Sequence, residues 1–246
     1  MSLAKLAALL ALVVSLTLPA RAVASTVTFT NDFSPPSALW SNSSGNWTAS
    51  GGKYFAQAPS NNPDTYTGLP FDFTNSNFSL TVTINSLRDE GIWLDSDGTI
   101  NNAVLLVLGG NAQQGNWAYW HLDQNGVQSS PLNVNRNAFT PDLTYTVTVL
   151  VNGSTYQAFN DPDGHFDANS ALLTTLVDST FSHGMAGLYQ FSGGATSFSN
   201  FSVTGEVTGI PELSTCAMMF IGFLGFGFIT CWRKNSVLHA FAPICG

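Results

Sequence analysis

Phe78-Ser79-Leu80-Thr81-Val82-Thr83-Ile84 alternates apolar and hydroxyl side chains without a break. Leu143-Thr144-Tyr145-Thr146-Val147-Thr148-Val149-Leu150-Val151 carries the same pattern up to the turn Asn152-Gly153. A period of two puts all the apolar side chains of an extended segment on one face, so both stretches read as strands with one face in a core and one in water. Further strands are expected at Ser25–Thr30, Tyr54–Gln57, Gly91–Leu94, Ala103–Leu108, Trp117–Leu122, Tyr156–Phe159, Gly187–Phe191 and Phe198–Val203. Gly51-Gly52, Asp97-Gly98, Gly109-Gly110, Asn125-Gly126, Asp163-Gly164 and Gly193-Gly194 supply the turns between them. A helical period is absent; only Ala168 to Val177 admits a short helix. About ten half-buried strands call for an all-β fold, an antiparallel two-sheet β-sandwich of the jelly-roll kind. The lack of a fixed-period repeat argues against propellers and solenoids.

The composition agrees. Of 246 residues 44% are hydrophobic and only 9% charged, against about 25% charged in ordinary domains. Helical surfaces rely on Glu, Lys and Arg, which are scarce, whereas Gly, Ser, Thr, Asn and aromatic residues suit strands and turns. Between Ser25 and Thr208 stand fourteen acids and only three bases (Lys53, Arg88 and Arg136), a net charge of −11. Such a surface repels phosphate backbones and anionic lipid headgroups, so nucleic acid is not expected as a partner. Cys216, Cys231 and Cys245 all lie beyond this region, which therefore has no disulfide framework.

Both ends are apolar. Residues 1–24 read as a signal peptide: Lys5 gives a basic start, Leu6 to Leu18 an apolar run, and Ala22-Val23-Ala24 a small-residue cleavage pattern. Export then places residues 25–206 outside the cytoplasm as one β-sandwich domain. Residues 207–214 form a linker, and residues 215–232 carry no charge. As a helix those eighteen residues reach about 27 Å, enough for one transmembrane crossing. Arg233 and Lys234 follow at once, so the positive-inside rule assigns residues 233–246 to the cytoplasm.

Ahead of the apolar run stands Ile210-Pro211-Glu212-Leu213-Ser214-Thr215. A Pro-Glu box, a glycine-containing apolar helix and a basic stop, in that order, resemble the PEP-CTERM sorting tail. The resemblance covers about a seventh of the chain. It implies a membrane-bound exosortase-type processing enzyme as partner, with cell-surface or biofilm-matrix proteins as typical cargo. Pro211, Glu212 and Ser214 then carry the sorting signal, and Arg233 and Lys234 the cytoplasmic stop. Leu213 departs from the family pattern by standing where a second proline is usual, and twelve residues follow Lys234. The resemblance further implies inner-membrane anchoring first, and the cell surface or extracellular space after processing.

The ectodomain carries a second likeness. Asn31-Asp32-Phe33 with Trp47-Thr48, the run Tyr145 to Gly153, and Gly187-Leu188-Tyr189 followed by Phe198-Ser199-Asn200-Phe201-Ser202-Val203 resemble strand and turn signatures of concanavalin A-like jelly rolls. That superfamily includes lectins and glucanases, so the resemblance implies a fold and leaves the activity open.

Glycoside hydrolysis needs two carboxyl groups facing each other across the scissile bond. The alternating Glu-x-Asp-x-x-Glu strand of jelly-roll glucanases is missing, and Glu90, Glu206 and Glu212 are the only glutamates. His121, His165 and His183 are scattered, and the sequence lacks a Gly-x-Ser-x-Gly elbow. The sequence thus favours a non-enzyme. Asp95-Ser96-Asp97-Gly98 and Asp161-Pro162-Asp163-Gly164 resemble fragments of calcium loops, but each offers two carboxylates where calcium takes six to eight oxygens. Each is equally a good turn, so calcium stands as a weak alternative to no cofactor. In Trp117-Ala118-Tyr119-Trp120-His121-Leu122-Asp123 alternation sets Trp117, Tyr119, His121 and Asp123 on one face. Aromatic faces beside a carboxylate suit sugar rings, although large aromatics more often belong to a core. The expectation is a non-catalytic surface or matrix domain able to hold an extracellular polysaccharide. The alternatives are a carbohydrate-active hydrolase with an unrecognised site, or an ice-binding or adhesive module presenting threonine faces.

Overall fold

The computed structural model describes residues 25–41, 44–60, 65–99, 101–110, 116–191 and 196–208, all within one compact unit, Ala24–Thr208. In chain order the strands are β1 (Ser25–Asn31), β2 (Trp47–Ser50), β3 (Lys53–Ala56), β4 (Tyr66–Gly68) and β5 (Phe73–Thr74). There follow β6 (Phe78–Asn85), β7 (Glu90–Ser96), β8 (Ala103–Leu108), β9 (Ala118–Gln124), β10 (Val127–Gln128) and β11 (Leu132–Asn135). The last five are β12 (Tyr145–Asn152), β13 (Thr155–Asn160), β14 (Ala171–Val177), β15 (His183–Gln190) and β16 (Ser197–Val207). Every pairing is antiparallel.

The alternation that opened the sequence reading becomes β6, buried and half-buried by turns. Leu80, Val82 and Ile84 point inward, and on the opposite face the hydroxyls of Thr81 and Thr83 bond those of the buried Thr148 and the half-buried Thr146 at 2.7 and 2.9 Å. One layer runs β14–β13–β12–β6–β16, with β1 and the β2–β3 hairpin on β16. The other runs β10–β9–β8–β7–β15, with β4 on β15 and β11 on β9. The main core lies between them: Val104, Leu106, Leu108, Ile92 and Leu94 of the second layer join Leu80, Val82, Ile84, Val147 and Val149 of the first. Trp120 on β9 meets Tyr156 on β13 across it, ring centroids 6.0 Å apart.

The two sheets expected from the sequence are joined into one. The short strand β5 pairs with β15 through Thr74 and His183 and with β16 through Phe73 and Val207, so a continuous antiparallel sheet curls back on itself as a half-barrel. The opposite side is tied by side chains. Asn133 Nδ2 donates to the Thr175 carbonyl at 2.6 Å, Asn135 Nδ2 to the Leu173 carbonyl at 3.0 Å, and Thr174 Oγ1 to the Asn133 carbonyl at 2.6 Å. These bonds occupy backbone groups at an edge that would otherwise invite another strand.

Two expectations need correction. Ala168 to Val177 holds strand β14, not a short helix, because its β-branched Thr174, Thr175 and Val177 pair along β13 while Leu173 and Leu176 enter the core. The strand β16 also extends through Val207, which pairs with Ser25 and is buried, taking in the first residue of the expected linker. Residues 1–24, with the proposed signal peptide, and 209–246, with Pro211, Glu212, Ser214, the 215–232 span, Arg233 and Lys234, lie outside the described residues.

Candidate functional site

β7 and β8 are buried on both faces. β8 reads Ala-Val-Leu-Leu-Val-Leu, a continuous apolar run of the kind that fits a strand covered on both sides. Val104, Leu106 and Leu108 fill the main core. Ala103, Leu105 and Val107 face the other way and form a second cluster with Trp93 and Tyr189, flanked by Tyr66 and Tyr119. The register sets this outer face in rows across the strands. One row is Tyr119, Val107, Gly91, Tyr189 and Tyr66; the next is His121, Leu105, Trp93, Gly187 and Gly68. With neighbouring strands about 4.8 Å apart, β9 and β7 are separated by roughly 10 Å across an aliphatic strip.

The β9 residues singled out from the sequence do share this face, while Trp120 is fully buried opposite and Leu122 packs against the main core. Tyr119 lies edge-on between Trp117 at 6.2 Å and His121 at 5.1 Å. Trp117 and Tyr119 are half-buried, but His121 and Asp123 are buried, so the exposed part of the strand is narrower than alternation implies. The Arg136 guanidinium covers one side of the Trp117 ring, 4.6 Å from its centroid. His121 Nδ1 lies 2.7 Å from the Ser129 carbonyl. Burial lowers the His121 pKa more than this bond raises it, which favours the neutral ring.

Around the start of β7 the titrations are displaced. Glu90 is fully buried, and its Oε2 accepts the backbone N–H groups of Arg88 and Asp89 at 2.7 and 2.8 Å. Burial pushes its pKa up to about 8, and burial pushes Asp89 up to about 7. Burial, aided by the Asp89 charge, takes Tyr119 to about 12. Gly110 keeps the approach open: a Cβ there would come within 2.7 Å of the Tyr119 hydroxyl and 3.2 Å of Asp89 Oδ1.

At the other end of β7 a feature appears that the sequence reading missed. Tyr66 and Trp93, ring centroids 6.4 Å apart, line a recess of about 330 Å³ together with Ser96, Gly98, Met185 and Gly187. Beside it a cleft of about 500 Å³ is lined by Asp72, Asp95, Asp97, Asn102 and His183. His183 Nδ1 sits 2.8 Å from Asp72 Oδ1, a pair 111 residues apart in the chain and invisible to spacing arguments. The one available signal was Trp93 alternating with Ile92 and Leu94, next to a strand apolar on both faces.

The acidic loops serve the chain itself. A shift in register between β7 and β15 and a positive φ at Asp95 turn its carboxylate inward, where Oδ2 accepts the Tyr156 hydroxyl at 2.5 Å and Asn75 Nδ2 at 3.0 Å. Burial raises the Asp95 pKa against these bonds. Asp97 Oδ1 accepts the Thr99 N–H at 2.8 Å and its hydroxyl at 2.6 Å, while Oδ2 accepts Asn102 Nδ2 at 2.8 Å. Burial works to raise the Asp97 pKa, but these hydrogen bonds together bring it below its ordinary value. Asp161 accepts the Thr148 hydroxyl, and its carbonyl accepts the Gly164 N–H at 3.1 Å; Asp163 Oδ1 accepts the His165 N–H at 3.4 Å. These are turn geometries. Among the described residues, groups of three or more His, Cys, Asp or Glu placed to hold a metal do not occur.

No protein-family model matches the sequence, and no curated protein is similar to it. Solved structures are similar in fold. The carbohydrate-binding module CBM66 from Bacillus subtilis is 16% identical with a TM-score of 0.51, covering 69% of this chain and 93% of the module. A Bacillus subtilis protein of unknown function with a galectin-like fold is 11% identical with a TM-score of 0.53, covering 75% of this chain and 99% of that one. At these identities the likeness is one of architecture: the described domain has a lectin-like jelly-roll fold.

Proposed function

We propose that the domain is a non-catalytic carbohydrate-binding module, holding an extracellular polysaccharide on the outer face of the β9–β8–β7–β15 layer. The observation that carries this reading is the convergence of half-buried Trp117 and Tyr119 on one side, and half-buried Tyr66 against the buried Trp93 on the other, about an aliphatic strip on one face. Sugar rings present C–H faces that stack on aromatic rings and hydroxyl edges that pair with polar groups. Asp89, Asp97, Asn102 and His183 stand at the two ends of that face. The carbohydrate-binding module of similar fold adds support by analogy of architecture.

The same proposal takes the chain to be exported by residues 1–24 and held at the inner membrane by residues 215–232. Processing by an exosortase-type enzyme at Pro211, Glu212 and Ser214 then delivers it to the surface or matrix, with Arg233 and Lys234 as the stop. Polysaccharide pull-down with wild type, Trp117→Ala and Tyr119→Ala, with and without calcium, tests the binding. Retention lost in both variants without loss of fold is expected, with no calcium requirement. Equal retention by all three proteins would remove β9 from the site, and hydrolysis of a bound polymer would refute the non-catalytic assignment.

A further inference from the structure

We propose that the recess beside Tyr66 and Trp93 and the acidic cleft beyond it are two halves of one trough, which takes successive rings of a saccharide chain free of carboxylate and sulfate groups. This rests on the carbohydrate-binding reading above and narrows it to a place and a charge class.

Continuity is the first argument. Ser96 and Met185 line both spaces, and the adjacent residues Asp97 and Gly98 line the cleft and the recess respectively. The Tyr66 hydroxyl reaches the Gly98 carbonyl at 3.4 Å, tying the aromatic wall to the turn that carries Asp97. Each space has the size of a small-ligand site, about 300 to 1,000 Å³.

The recess has the surfaces that one sugar ring requires. Tyr66 and Trp93 give it an aromatic side among smaller and aliphatic residues such as Leu69 and Met185, and Gly187, where a Cβ would lie 2.1 Å from the Thr67 carbonyl oxygen, lets β4 lie close against β15 beside it. Trp93 is only 2% exposed, and its Nε1–H finds no acceptor among the described residues. A buried donor left without a partner favours a ligand that brings an oxygen to it. This donor is independent of the acidic groups next door.

The cleft supplies the polar half. Asp72 holds His183 by Nδ1, and Asp97 and Asn102 are bonded to each other, so carboxylate, amide and imidazole are fixed in place before a ligand arrives. Three carboxyl groups line the cleft, and among the described residues neither half is lined by a lysine or arginine. The domain around them carries a net charge of −11 between Ser25 and Thr208. Uronate or sulfated chains would be repelled, and hydroxyl-rich neutral rings would find acceptors already oriented.

The test measures affinity electrophoresis of the purified protein in gels containing neutral glucan, mannan, galactan or fructan, and in gels containing polygalacturonate. Met185→Trp fills the junction of the two spaces, and His183→Ala removes an exposed imidazole whose loss should leave the fold intact. Wild type should be retarded by at least one neutral polymer and not by polygalacturonate. Retardation by that neutral polymer should weaken at least ten-fold in Met185→Trp and three- to ten-fold in His183→Ala, with unchanged circular dichroism. If Met185→Trp does not fold, His183→Ala decides. Neutral-polymer binding within two-fold of wild type in the folded variants, lost only in Trp117→Ala, would overturn the trough and leave the broader reading standing. Equal binding of polygalacturonate would overturn the charge class. Failure of wild type to bind any of these polymers would overturn both readings.

Discussion

Replacing Glu90 by glutamine should make the domain more stable at pH 8 than the wild type, and less sensitive to pH. Glu90 is fully buried, and burial pushes its pKa up to about 8; in the unfolded chain it returns to about 4.3. Between those values the folded state keeps a proton that the unfolded state has released. Stability is therefore full below the unfolded pKa, falls as pH rises through the window, and levels off above pH 8. At about 1.36 kcal/mol per unit, the loss between pH 5 and pH 8 comes to roughly 3 to 4 kcal/mol. For a domain of this size that corresponds to roughly 10 °C in Tm. Glutamine cannot ionise, yet keeps an oxygen to accept the Arg88 and Asp89 N–H groups that Oε2 accepts in the wild type. Asp89, pushed up to about 7, adds a slope of the same sign, so Glu90→Gln should flatten the profile without erasing it. Thermal unfolding followed by circular dichroism from pH 5 to 8.5 measures both proteins. Parallel curves for the two, or a wild-type Tm that does not fall with pH, would refute the reasoning.

Asn133→Ala and Asn135→Ala each remove a side-chain bond to the β14 backbone, and each should cost about 1 kcal/mol in urea unfolding; a null effect of both would mean that the edge is held by packing alone. Tyr156→Phe takes one donor from the buried Asp95 carboxylate and should cost about 1 to 3 kcal/mol, with the larger loss at high pH, where Asp95 is ionised. Gly187→Ala sets a methyl group 2.1 Å from the Thr67 carbonyl oxygen, so β4 must move away from β15. Faster hydrogen exchange at Tyr66–Gly68 is the expected sign, and unchanged protection there would contradict the geometry.

Strand positions were legible wherever one face is dry and the other wet. Ala103–Leu108 coincides with β8, and the runs at Phe78 and Tyr145 lie within β6 and β12 to within a residue or two. Short strands such as β4, β5 and β10 span two or three residues, too few for any period to register. β14 was ambiguous because Ala171-Leu172-Leu173 reads equally well as helix or strand; pairing with β13 decided it. Likewise, alternation correctly put Trp117, Tyr119, His121 and Asp123 on one face. It could not tell that this face carries a second apolar cluster, which leaves His121 and Asp123 buried.

By itself the sequence determined the all-β class, the core side of the alternating strands β6 and β12 and the acidic, cysteine-free character of the domain, since these depend on side-chain periodicity and composition. Tertiary structure decided the rest. The join through β5, the closure by Asn133 and Asn135, the meeting of Asp72 with His183 and the trough beyond Trp93 all bring together residues far apart in the chain. Such contacts arise from how the sheet curls, and a local pattern of apolar and polar residues records which way a side chain points without recording what it will meet.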